Sequence, residues 1–246
     1  MHHGKIHKGM QLRHLYKYYL KYLCRQDFHF QYFSESQAKY FSGNKEKCHI
    51  IPLALNDFGH SNKIPSPTSI TFLSFGHIIE TKNIGLLIRA AEEVKKCCKL
   101  PFKVRIVGHC RNWEPYQQLI KHPEIFDLSI KSIPDTDIPD LFATTHYLVL
   151  PYKSVTQSGP LRIAYGYNTP VIASDLEGFK ESIINNVTGL LFKTDDVTSL
   201  ASLMRNVIEN PQTYNIIKSK QKEYINNNIS EKVIINKYIN MFNNII

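Results

Sequence analysis

His146-Tyr-Leu-Val-Leu-Pro-Tyr-Lys-Ser-Val-Thr-Gln-Ser-Gly-Pro-Leu-Arg-Ile-Ala-Tyr-Gly-Tyr-Asn-Thr-Pro-Val-Ile-Ala-Ser174 is the stretch on which the fold turns. His146 to Leu150 and Pro170 to Ala173 are short apolar runs bounded by turn residues, the signature of buried strands. Between them Gly159-Pro160 opens the segment Leu-Arg-Ile-Ala-Tyr-Gly-Tyr, and proline at a first helical position reads as a helix start. Strand, helix and strand in that order make a parallel crossover unit. The pattern repeats outward. Ile70–Phe75, Phe102–Val107, Phe126–Ile130 and Gly189–Phe192 read as further strands, and Ile84–Val94 and Asp137–Thr144 as amphipathic helices. The fold class is therefore α/β, a doubly wound, Rossmann-like parallel sheet over residues 68–246, with the closing helices included. Right-handed crossovers put every strand's carboxyl end on one edge, where open α/β sheets bind ligands.

Residues 1–60 differ in character. A helical stretch over 9–24, short strands near 29–33 and 48–52, and a helix opened by Ser34 are too little for an independent core, and 56–67 reads as a linker. The 246 residues are 43% apolar and 21% charged, which excludes disorder and fibrous repetition. No apolar run is long enough to span a bilayer, and no signal peptide is expected. Five cysteines without a CxxC motif suit a reducing compartment, so the expected location is cytoplasmic. The formal charge of +9 is lopsided: residues 1–63 hold ten Lys/Arg against four Asp/Glu. That end reads as a face for nucleic acid, a phosphorylated substrate or an anionic membrane surface, the last making the protein peripheral at its inner side, or else as a solvated helix face. Of these, nucleic acid is not expected as a partner.

Four loops lie at the ligand edge. Gly76-His77-Ile-Ile-Glu-Thr-Lys82 places a lysine at a helix start, where it adds to the helix dipole as a phosphate site; a solvated loop lysine is the plainer reading. Gly108-His109 directly follows a strand, for a tight turn or a close ligand approach. Gln157-Ser158-Gly159-Pro160-Leu161 gives a Ser-capped helix whose backbone amides form an anion cradle needing no metal; an ordinary capped helix reads equally well. Ser174 to Glu181 leads into another helix. No P-loop, no Gly-x-Ser-x-Gly elbow and no Gly-x-Gly-x-x-Gly is present. His2, His3, His7 and Cys48-His49 lack zinc-ligand spacing, so no metal is expected.

The order of these loops, with Ile133-Pro134-Asp135, Leu150-Pro151-Tyr152, Pro170–Ser174, Gly178–Glu181 and Gly189–Leu191, resembles the carboxyl-terminal, donor-binding domain of the group 1 retaining glycosyltransferases, which have two Rossmann-like domains (the GT-B architecture). The resemblance implies a nucleotide-diphosphate sugar as donor substrate, no cofactor, and a saccharide or lipid-linked acceptor in surface polysaccharide or glycolipid synthesis. Lys82 would neutralise the diphosphate, and the Ser158–Leu161 amides would cradle it. The neighbourhood of Ile133 would face the base. Gly76, His77, Gly108, His109, Gln157 and Glu181 complete the expected donor site; no catalytic residue is singled out. Three departures stand out. The family's paired glutamates fall at Val155 and Ile163, although Gln157-Ser158-Gly159 looks like a variant loop of some members. The usual diphosphate arginine is His77. Only a remnant of the acceptor domain is expected in 1–60, so the chain reads as a truncated enzyme or one half completed by a separate chain. The alternative is a non-catalytic nucleotide-sugar-binding module.

Overall fold

The computed structural model describes residues 18–245 apart from 20 and 40. Of the helix expected over 9–24, residues 18–19 and 21–23 are helical and Cys24 is already in a turn; residues 9–17 and 20, and with them Lys5, Lys8, Arg13 and Lys17, lie outside the described residues. Two compact units divide the chain: one runs to Ala54 and resumes at Asn226, the other is Leu55–Ile225. This division differs from one drawn at residues 60 and 68. The segment expected as a linker is strapped to the sheet unit. The Ser61 hydroxyl donates to Asp140 Oδ1 at 2.6 Å, Lys63 pairs with Asp140 at 2.7 Å, and the Tyr167 hydroxyl donates to the Gly59 carbonyl at 3.0 Å.

In the first unit β1 (Phe30–Tyr32) and β2 (Cys48–Ile50) pair in parallel, Phe30 opposite Cys48. The four-residue helix α1 (Glu35–Ala38) joins them, and its Ser34 cap accepts from the Gln37 amide, which satisfies one of the orphan N–H groups of the first turn.

The second unit runs β3 (Ile70–Phe75), α2 (Ile84–Cys97), β4 (Phe102–Val107), α3 (Glu114–Gln117), β5 (Phe126–Ser129), α4 (Ile138–Ala143), β6 (Tyr147–Leu150), α5 (Gly159–Gly166), β7 (Val171–Ser174), α6 (Glu177–Lys180), β8 (Leu190–Phe192), α7 (Val197–Glu209) and α8 (Gln212–Asn228). The last three residues of α8 and the whole of a last helix, α9 (Glu231–Asn243), belong with the first unit. The sheet order is β5-β4-β3-β6-β7-β8, all pairs parallel. Central strands β6 and β7 are buried at every residue, whereas the outermost strand β5 keeps Asp127 and Leu128 exposed. Helices on both faces account for this, because a covered strand needs apolar residues on both sides. Phe72, Leu87, Ile106, Tyr147 and Met204 lie at the centre of the core.

One buried acid fastens the α2 layer. Glu92 on α2 is 5% exposed, and its carboxylate accepts the Lys121 and His122 backbone N–H groups and a bond from the His122 ring. Burial pushes its pKa up, but the bonds from His122 and Lys121 outweigh that and hold it below the usual glutamate value. A carboxylate depressed in the folded state stabilises above the unfolded-state pKa of about 4.3, and that contribution is lost as pH falls through the folded value. Glu92→Ala is expected to cost about 2–3 kcal/mol near neutrality, since two amides lose their acceptor. Urea titrations at neutral pH and near pH 3 should show the deficit shrinking in acid; an equal deficit at both would refute this account.

Candidate functional site

Sheet order places the site. From β3 the chain moves to β4 and β5 on one side, then returns to β6 on the other. The crevice between the carboxyl ends of β3 and β6 is thus the topological switch point, where neither loop covers the other and doubly wound sheets bind ligands. The loops meeting there are 76–83 and 151–158.

They close on one another around Gly76. This residue has φ 98°, in the region that favours glycine, and a Cβ on it would stand 3.0 Å from Lys82 Nζ and 3.6 Å from Pro160 Cγ. The lysine of the β3 loop and the first turn of α5 therefore share one place. Lys82 Nζ also lies 5.6 Å from the centroid of the Tyr152 ring, within cation–π range. Burial holds its ammonium below the usual lysine range, so a positive charge stands partly desolvated beside a helix N-terminus. Beneath it Tyr152 is buried against Phe179, with ring centroids 5.4 Å apart. Burial pushes its phenol up to about 12, and the hydroxyl has no hydrogen-bond partner among the described residues. The two loops are also tied directly, by the Lys153 amide donating to the Thr81 carbonyl at 2.8 Å and by a Lys153–Glu80 ion pair at 3.6 Å.

The structure refines the expected cradle. Ser158 caps α5, but its Oγ takes the Leu161 N–H at 3.3 Å, the Arg162 N–H goes to the Ser158 carbonyl, and Pro160 has no N–H. Of the three N–H groups in the expected cradle, those of Ser158 and Gly159 have no hydrogen-bond acceptor among the described residues. Gly159 borders open space, since a Cβ there meets nothing within 4 Å. Lys82 is not at the helix start; it ends a single 3-10 turn, Glu80–Lys82, and α2 begins at Ile84. The residue between, Asn83, is left-handed at φ 50°, ψ 44°, a conformation asparagine tolerates where other side chains do not. Its amide donates to Asp195 Oδ1 at 3.0 Å.

The other expected residues are distributed along the same edge. Gly108 follows β4, and its N–H donates to the Ser129 carbonyl at 2.9 Å. His77 and His109 are both exposed, and their rings face each other with centroids 5.2 Å apart. Ile133 stands half-buried on the loop after β5, and Gln157 half-buried just before the α5 cap. Glu181 is exposed at the end of α6. Ile163 is buried at 6% exposure, and Val155 uses its carbonyl to pack on α6, 2.9 Å from where a Gly178 Cβ would be. Sequence reasoning missed Tyr152 as the floor under Lys82, and Lys153 and Thr81 as the tie. Tyr152 was marked by its place directly after a strand-ending proline; nothing local marks the tie, which joins residues far apart in sequence.

At the opposite, amino edge a concavity of about 550 Å³ is lined by Ile64, Pro67, Leu100, Pro101, His146 and Tyr214 among others. Burial pushes His146 down to about 4, and its Nδ1 accepts the Thr71 N–H at 3.0 Å. That histidine stays neutral and structural, and the charge available for an anion lies at the carboxyl edge.

Comparison with known proteins identifies the family and the fold. The family model "Glycosyl transferases group 1" matches residues 59–227. No curated protein matches the chain. Among solved structures, TarM of S. aureus is similar over 98% of this chain and 48% of its own, at 19% identity and TM-score 0.76. A glycosyltransferase from Rickettsia africae ESF-5 is similar over 93% of this chain and 67% of its own, at 16% identity and TM-score 0.77. Anabaena HepE, solved in complex with UDP-glucose, is similar over 92% of this chain and 66% of its own, at 16% identity and TM-score 0.71. The chain thus spans about half the length of TarM, and at these identities the likeness is one of fold. With the family model covering the whole switch-point edge, from the loop after β3 to the helix after β8, this chain belongs to the group 1 glycosyltransferase family.

Proposed function

We propose that residues 55–225 bind a nucleotide-diphosphate sugar at the crevice between β3 and β6. The observation that carries the proposal is the convergence of Lys82, Gly76 and Pro160, which sets a desolvated cation against the open first turn of an eight-residue helix. Such a pair neutralises a diphosphate through one ammonium and backbone N–H groups, so the reaction is proposed to need no metal. The reaction is retaining transfer of the glycosyl group to a saccharide or lipid-linked acceptor, in surface polysaccharide or glycolipid synthesis. HepE, which shares the fold, binds UDP-glucose, and that supports the substrate class. A second reading, a nucleotide-sugar-binding module without transferase activity, is favoured by one observation: the buried Ile163 offers no carboxylate where the family places one.

Calorimetric titration with UDP, GDP and ADP tests the first step, and saturable binding of at least one is expected. If none binds, the donor site is misassigned. Sugar release or transfer from the matching nucleotide sugar then separates the two readings, since the module binds without turnover.

Among the described residues no helix is long and apolar enough to cross a membrane. The surplus of basic residues in 1–63 is proposed to hold the chain at an anionic membrane surface. Sedimentation with anionic vesicles should carry the protein down and added salt should release it; equal sedimentation with neutral vesicles would leave only a solvated face.

A further inference from the structure

His77 follows Gly76 at the end of β3, and His109 follows Gly108 at the end of β4. The two strands run in register to Phe75 opposite Val107, and beyond it the Ile78 N–H donates to the His109 carbonyl at 2.9 Å. The loops are pressed together so closely that a Cβ on Gly108 would lie 2.1 Å from the Gly76 carbonyl oxygen. This contact fixes the spacing of the histidines that follow. Their rings stand 5.2 Å apart at 59°, both exposed, and no hydrogen bond or ion pair joins either ring to a carboxylate among the described residues. Such a pair has no internal counter-charge.

The surroundings add to that deficit. The β3 loop brings Lys82 and Glu80, and Glu80 is already paired with Lys153 of the β6 loop. The β4 loop brings Cys110, whose thiol donates to the Asn112 carbonyl, then Arg111, and beyond them Glu114 and Tyr116 of α3. The β5 loop brings Lys131, and the buried Tyr152 adds an uncharged phenol. Lys82, Arg111 and Lys131 have no ion-pair partner among the described residues, so this edge carries an excess of positive charge that an anion would offset.

We propose that His77 and His109 act as one proton-linked clamp on the diphosphate of the donor, taking up protons as it binds. The inference rests on the donor reading above. It differs from a fixed guanidinium at position 77, which is charged at every accessible pH and gives no such linkage. An imidazole changes charge between pH 5 and 8. A diphosphate esterified at both ends has no proton to gain there, so any pH dependence of its binding belongs to the protein.

The test is calorimetry with UDP-glucose and GDP-mannose from about pH 8 to about pH 6, in two buffers of different ionisation heat. For whichever sugar nucleotide binds, affinity should rise about tenfold as pH falls, with measurable proton uptake near pH 6.5, because a hydrogen bond to a charged donor is the stronger one. His77→Gln and His109→Gln should each cut the gain to about threefold, and the double variant should abolish it. A pH-independent affinity, or a full gain surviving in His109→Gln, overturns the clamp while leaving the donor site standing. Absence of binding at every pH overturns the donor site and the clamp with it.

Discussion

Lys82→Ala is expected to weaken nucleoside diphosphate binding by roughly ten- to a hundredfold, the loss of one charge-assisted contact worth about 1.5–3 kcal/mol. The size follows from where the ammonium sits. It is drawn in beside Gly76 and over the Tyr152 ring, so it is screened less than a surface lysine. The same burial lowers its pKa, and the sign can be worked out. A lysine whose pKa is depressed on folding binds fewer protons folded than unfolded, so stability rises with pH between the folded value and the ordinary one of about 10.4. Below that window the charged form is held at a cost that the bound anion relieves. Removing the charge should therefore leave the melting temperature unchanged or raise it while binding collapses. Lys95→Ala is the control. Its lysine lies on α2, in a partly exposed pair with Glu124 at 3.5 Å, and such pairs contribute at most about 1 kcal/mol. Calorimetry of the two variants beside the wild type decides the matter, and equal affinities for both would remove Lys82 from the site.

Gly108→Ala should be the most damaging single methyl in the sheet unit. The residue sits at φ 151°, and its Cβ would come within 2.1 Å of the Gly76 carbonyl oxygen and 2.6 Å of the Gly76 carbonyl carbon. Neither neighbour is a side chain that can swing aside. Both strand ends are also held by backbone bonds of 2.9 Å, Gly76 N–H to the Val107 carbonyl and Gly108 N–H to the Ser129 carbonyl. The methyl has to part β3 from β4 where the ligand edge begins. Overpacking with backbone movement predicts a loss of about 3 kcal/mol, or roughly 6–12 °C in melting temperature for a domain of this size. Gly159→Ala is the matched comparison, because its Cβ would meet nothing within 4 Å; it should change stability by less than about 0.5 kcal/mol. A Gly108→Ala protein that melts with the wild type would show that the two loops have room to spare.

Much of this molecule was legible in one dimension. The apolar runs at 70–75 and 102–107 appear as strands with those bounds, and the other four in the sheet differ by a residue or so at their ends. Runs of that composition have no stable place except between two helical layers, so periodicity and right-handed crossovers together imply the sheet and its ligand edge. Ser158 as a cap and Pro160 in the first turn were likewise local chemistry. What local chemistry does not hold is which groups meet and which are already spent. Leu161's amide is consumed by its own cap, and the presumed linker is fastened through Asp140. Lys82 leans over Tyr152, seventy residues away, and His77 faces His109 across neighbouring strands. Strand order decided these pairings. The sequence by itself determined the elements, their parallel winding and the edge where an anion could bind, because those follow from side-chain periodicity and chirality. Only the tertiary structure decided what packs around Lys82 at the switch point, which amides stay open and that two histidines share one place, because contacts across parallel strands depend on the order in which the sheet is assembled.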